Sequence, residues 1–97
     1  MIAPKTSPIP SGLELTRIRL EFDGIDFEFG SLTLSIWVKF QVFQNGVLLT
    51  EVDNDNRTGD LAVLWKLIGR TVEKSCRPEP PEKFEVKLSG EYRLVIL

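Results

Sequence analysis

Ninety-seven residues are enough for one domain and too few for two. A net charge of −2 offers no broad cationic field to phosphate, which excludes nucleic acid as an expected partner. With 42% hydrophobic and 27% charged residues, the chain has the composition of a folded protein and not of a disordered one.

The first twelve residues carry Pro4, Pro8, Pro10 and Gly12 and are expected to form a flexible arm ahead of a single domain spanning 13–97. Met1 to Pro8 lacks the apolar centre of a signal peptide, and no apolar run approaches a membrane span. Cys76 is the only cysteine, so no intramolecular disulfide can form. These features predict a cytoplasmic protein.

From Arg17 the pattern has period two. Ile18, Leu20 and Phe22 alternate with Arg17, Arg19 and Glu21, and Ile25, Phe27 and Phe29 resume after Asp23-Gly24. A two-residue Asp-Gly turn pairs Phe22 with Ile25, Leu20 with Phe27 and Ile18 with Phe29 on one face, and Arg19 with Glu28 on the other. Gly30-Ser31 predicts a second tight turn, after which Leu32, Leu34, Ile36, Val38, Phe40 and Val42 alternate without a break. That turn pairs Phe29 with Leu32, Phe27 with Leu34 and Ile25 with Ile36. Asn45-Gly46 is the strongest short hairpin signal and predicts a return strand from Val47 to about Val52.

A polar stretch, Asp53 to Gly59, follows. Leu61, Leu64, Trp65 and Ile68 then fall on one face of an α-helix of about two to three turns. Thr58 or Asp60 can cap its start, and Gly69 suits its end. Residues 71–76 predict a further strand, and Pro78, Pro80 and Pro81 a stiff connection. A closing hairpin pairs Leu88 with Tyr92, Val86 with Leu94 and Phe84 with Ile96 across a three-residue loop. The expected fold class is α+β: an antiparallel meander of four strands, one short helix on its apolar face, then two or three further antiparallel strands.

Catalytic chemistry finds little to work with. Histidine is absent, which removes the usual general base and the commonest metal ligand. No imidazole can pair with Cys76, which reads as a small strand residue. Asp53-Asn54-Asp55-Asn56 opens like a calcium loop. Arg57 and Thr58 then occupy the positions that need an oxygen ligand and glycine, and Leu64 that of the closing glutamate. Phosphate-binding glycine loops and nucleophile elbows are missing. The sequence predicts no enzyme, no metal and no cofactor.

Six residues stand out as a candidate interaction surface. Glu21, Asp23, Asp26 and Glu28 gather four carboxylates on one hairpin, a pattern that serves either as a solvated edge or as an acidic face for a basic partner. Trp37 and Phe43 lie on the side of their strand opposite the main apolar face, beside Lys39 and Gln41, a mixture found at interface cores.

The segment order resembles that of small bacterial single-domain proteins whose function is uncharacterised. The resemblance is carried by Phe40-Gln41-Val42-Phe43-Gln44-Asn45-Gly46, by Leu61-x-x-Leu64-x-x-Leu67-Ile68-Gly69-x-x-Val72, and by Phe84-x-Val86-x-Leu88-Ser89-Gly90-x-x-x-Leu94-x-Ile96. Similar-looking domains include immunity proteins of bacterial toxin systems and products of mobile gene cassettes. It implies an immunity-like role but transfers no functional residue. The expected function is therefore non-catalytic binding, with the acidic hairpin offered to a protein partner. The alternatives are self-association as a homo-oligomeric accessory domain, and a small-molecule binder with an apolar pocket between helix and sheet.

Overall fold

The protein is described by a computed structural model covering residues 9–55, 58–76 and 84–97. Among these residues the strands are β1 (Arg17–Leu20), β2 (Ile25–Phe29), β3 (Leu32–Ile36), β4 (Lys39–Gln44), β5 (Val47–Asp53), β6 (Val72–Cys76), β7 (Phe84–Leu88) and β8 (Tyr92–Ile96). A 3-10 helix, Leu61–Leu67, lies between β5 and β6. The fold is mostly antiparallel sheet with one short helix, broadly α+β. The predicted proline connection at Pro78, Pro80 and Pro81 and the first eight residues lie outside the described residues, as do Asn56 and Arg57.

The predicted four-stranded meander divides between two sheets. One contains β1-β2-β3, and the other has the order β5-β4-β8-β7-β6. The division falls inside the long alternating run, at Trp37-Val38, between β3 and β4. Bending lets both halves cover one core. Asn54 holds the corner, its side-chain amide donating to the carbonyls of Ile36 at 3.2 Å and Val38 at 2.7 Å. Val38, expected inside, consequently faces water.

Local turn chemistry governs the hairpins. Asn45 and Gly46 take φ of 53° and 77°, the two left-handed residues of a type I′ turn. Gly30 takes φ of 67° ahead of Ser31, the arrangement of a type II′ turn, and β2 pairs with β3 in the predicted register. The β7–β8 register is also as predicted. The first hairpin differs: Ile18 lies opposite Phe27, Arg19 opposite Asp26, and Leu20 opposite Ile25. Its loop contains four residues, closed by the Glu21 N–H donating to the Gly24 carbonyl at 2.8 Å. The shift by two residues preserves the faces but carries Phe22 out of the sheet and into solvent.

The core lies between the sheets. Phe27 of β2 meets Phe40 of β4 edge to face, ring centres 5.7 Å apart. Both are fully buried, as are Phe29, Val42, Val86, Leu88 and Leu94. Each such side chain contributes roughly 1.5–3 kcal/mol through removal from water. The helix supplies Val63, Leu64 and Leu67 and leaves Trp65 and Ile68 exposed. Its predicted face is therefore corrected, for a geometric reason. A 3-10 helix has three residues per turn, so Leu64 and Leu67 share a side, whereas the predicted α-helical stripe would have combined Leu64 with Trp65 and Ile68. Asp60 caps it, accepting from the Ala62 N–H at 3.0 Å.

The end of the predicted flexible arm is tied down. Ile9 is buried, and its N–H and carbonyl both bond the hydroxyl of buried Ser75, at 3.2 and 3.1 Å. Residues 12–15 run antiparallel to 69–72, with Gly12 N–H to Val72 carbonyl at 2.7 Å and Val72 N–H to Leu13 carbonyl at 2.8 Å. That short pairing reaches the start of β6 at Val72, and Ile9 lies against its far part at Ser75.

Candidate functional site

The acidic hairpin is a lattice of ion pairs. Alternation places Arg17 and Arg19 of β1 on the same face as Asp26 and Glu28 of β2. Arg17 meets Glu28 at 3.0 Å, and Arg19 meets Asp26 at 3.0 Å, Glu28 at 3.1 Å and Glu21 at 3.5 Å. Ser35 of β3 stands opposite Asp26 in the β2–β3 register. The Ser35 side chain, and then the hydrogen bond from Arg19, hold Asp26 below its ordinary pKa against the opposing effect of partial burial. Arg19 is raised, chiefly by its bond to Asp26 and then by the charges of Glu28 and Glu21. Of the four predicted carboxylates, only Asp23 is exposed without an ion pair among the described residues.

Asp23 belongs to one end of the molecule where apolar side chains are also exposed. Phe22, beside it in the β1–β2 loop, is 88% exposed, and Trp37 at the β3–β4 corner is 65% exposed. The two segments touch: a Cβ built on Gly24 would lie 2.4 Å from the Trp37 ring and 2.7 Å from the Ile36 carbonyl oxygen. Next to them a cleft of about 120 Å³ is lined by Leu20, Ile25, Val52 and Leu61 together with the carboxylate residues Glu21 and Asp53. Leu20 and Leu61 remain partly exposed there.

Phe43 is elsewhere. It lies at the end of β4 away from the Trp37 corner and is half-buried beneath Arg93, whose guanidinium lies 4.8 Å from the ring centre. Arg93 in turn pairs with Glu85 at 3.1 Å. The six predicted residues thus form three groups: a neutralising lattice, an apolar-acidic end, and a stacked Phe43–Arg93 pair. Sequence reasoning missed Phe22 and Leu20 because a two-residue turn would have kept both within the hairpin. It missed Arg93 because the β4–β8 pairing, which sets Phe43 opposite Arg93, joins distant parts of the chain.

Among the described residues no group of three or more Asp, Glu or Cys side chains is placed to hold a metal ion. None of their helices is long and apolar enough to cross a membrane. The side chain of Cys76 lies outside what the structure describes. No protein-family model, curated protein or solved structure matches the chain. The resemblance in segment order therefore rests on the sequence alone.

Proposed function

We propose that the chain is a non-catalytic protein-binding module. It presents the β1–β2 loop and the β3–β4 corner to a partner that is both apolar and basic. The observation that carries this reading is the exposure of Phe22 and Trp37 at one end, beside the unneutralised Asp23. Large aromatic side chains are the usual anchors of interfaces, and a charged rim contributes steering and specificity more than affinity. An immunity-like inhibitor of a basic protein is one form of this role. The small-molecule alternative has less support, because the cleft of about 120 Å³ is well below the roughly 300 Å³ at which drug-sized pockets begin.

A photo-reactive phenylalanine analogue at position 22, with a control at exposed Leu48 on β5, tests the proposal in cells of the native host. The expected result is a discrete cross-linked product from position 22 alone. It should be lost on Trp37→Glu, weakened by Asp23→Lys, and diminished by salt. Cross-linking that is equal at position 48, or indifferent to Trp37→Glu and Asp23→Lys, refutes the assignment of this end.

A further inference from the structure

The two sheets present four strand edges, and among the described residues three are protected. β1 carries Arg17 and Arg19, charges that oppose edge-to-edge pairing. β5 carries a bulge at Leu49, opposite Val42/Phe43, bears Glu51, and is overlaid at its end, where Asp53 bridges Thr58 and the Asp60 N–H donates to the Thr50 hydroxyl. β6 is paired by Gly12 and Leu13 at Val72 and met by Ile9 at Ser75. β3 has none of these devices. From Ser31 to Ile36 it contains no charge, no proline and no bulge, and its only strand neighbour among the described residues is β2.

Hairpin geometry settles which backbone groups face out. The two-residue turn makes Phe29 and Leu32 the hydrogen-bonded closing pair, so Leu32, Leu34 and Ile36 direct their N–H and C=O groups to β2. Thr33 and Ser35 direct theirs away from the sheet. The sequence Leu32-Thr33-Leu34-Ser35-Ile36 also has the same apolar-polar alternation in both directions about Leu34.

We propose that β3 is a self-pairing edge, and that a second copy of this chain adds its own β3 antiparallel about a two-fold axis through Leu34. In that register Thr33 lies opposite the second copy's Ser35, and Ser35 opposite its Thr33. Both are hydrogen-bonded pairs, and they use the outward backbone groups. The two Leu34 side chains meet on the axis as a non-hydrogen-bonded pair, and Leu32 meets Ile36. Backbone phase and side-chain pattern agree on a single alignment, which is the self-complementarity an isologous contact requires. Half-buried Leu32 and Leu34 gain apolar cover, and Thr and Ser form a favourable cross-strand pair. The product is a continuous six-stranded sheet. This inference is independent of the partner-binding end, since it concerns the strand edge and is tested on the purified chain alone.

Sedimentation of the purified protein at concentrations up to roughly 1 mM, where small interfaces still associate, should show a monomer–dimer equilibrium. Thr33→Lys with Ser35→Lys sets like charges opposite each other in both polar pairs and should raise the dissociation constant roughly tenfold or more. Within the fold the same positions lie opposite Glu28 and Asp26, so thermal stability reports separately on folding. In a Cys76→Ser background, Leu34→Cys should oxidise to a covalent dimer, because non-hydrogen-bonded partners are within disulfide reach. Leu32→Cys, whose counterpart is Ile36, should cross-link far more slowly. A protein that stays monomeric throughout, a dimer indifferent to the two lysines, or equal cross-linking at positions 32 and 34 overturns the proposal.

Discussion

Replacing Gly24 by alanine tests how the β1–β2 loop meets the β3–β4 corner. An alanine Cβ would lie 2.4 Å from the Trp37 ring and 2.7 Å from the Ile36 carbonyl oxygen. The exposed indole can swing aside. The carbonyl cannot, because it belongs to the β2–β3 ladder and also accepts from Asn54. Ordinary contact begins near 3.4 Å, so the corner must open by several tenths of an ångström. Overpacking of this kind costs about 1–3 kcal/mol. Gly24 is not among the residues with positive φ, so alanine suits its backbone and stiffens the unfolded chain, offsetting about 0.4–1 kcal/mol. The net loss is about 1–2 kcal/mol, and at about 4–8 °C per kcal/mol for this size the melting temperature should fall by roughly 5–15 °C. Circular dichroism with heat and with urea measures both quantities, and an unchanged urea m-value would localise the effect to the native state. A melting temperature equal to or above that of the parent would show that loop and corner are not in contact, and the recognition end would lose its basis.

Other perturbations separate further parts of the structure. Asp26 is held below its ordinary pKa by Ser35 and Arg19, so its contribution to stability is complete above the unfolded value near 3.9 and is lost as pH falls through the lower folded value. Asp26→Asn should therefore destabilise the protein at neutral pH and flatten the decline below about pH 4 in acid titrations followed by circular dichroism. Leu67→Ala, at a fully buried position, should cost about 2–4 kcal/mol in urea unfolding, whereas Trp65→Ala should stay within about 0.5 kcal/mol. The reverse order would restore the α-helical face. Ser75→Ala removes the hydroxyl that bonds both backbone groups of Ile9 and should cost about 1–3 kcal/mol, with faster hydrogen exchange at the Ile9 amide.

Much of the local architecture is legible in the residues themselves. Asn45-Gly46 and Gly30-Ser31 favour turns that only certain φ values allow, and strict alternation on either side then fixes the β2–β3 and β7–β8 registers. Asp23-Gly24 misled because Asp-Gly also fits inside a four-residue loop, and both registers keep Ile18 and Ile25 on the core face. The helical stripe misled because Leu61, Leu64 and Leu67 satisfy three residues per turn as readily as other positions satisfy 3.6. Four carboxylates on one hairpin were visible, but how far Arg17 and Arg19 neutralise them depended on a register that the turn alone left open.

What the chain determines by itself is short-range: turn type, alternation and the polarity of each strand face, all of which follow from backbone sterics and side-chain period. The tertiary structure alone decides where the run from Leu32 to Gln44 bends, which sheet each half joins, and that residues 9–15 close over β6. It also decides that Phe22 and Trp37 emerge together. Nothing in Trp37-Val38 marks a corner; it arises because one core must be covered from two sides by the two halves of a single alternating run.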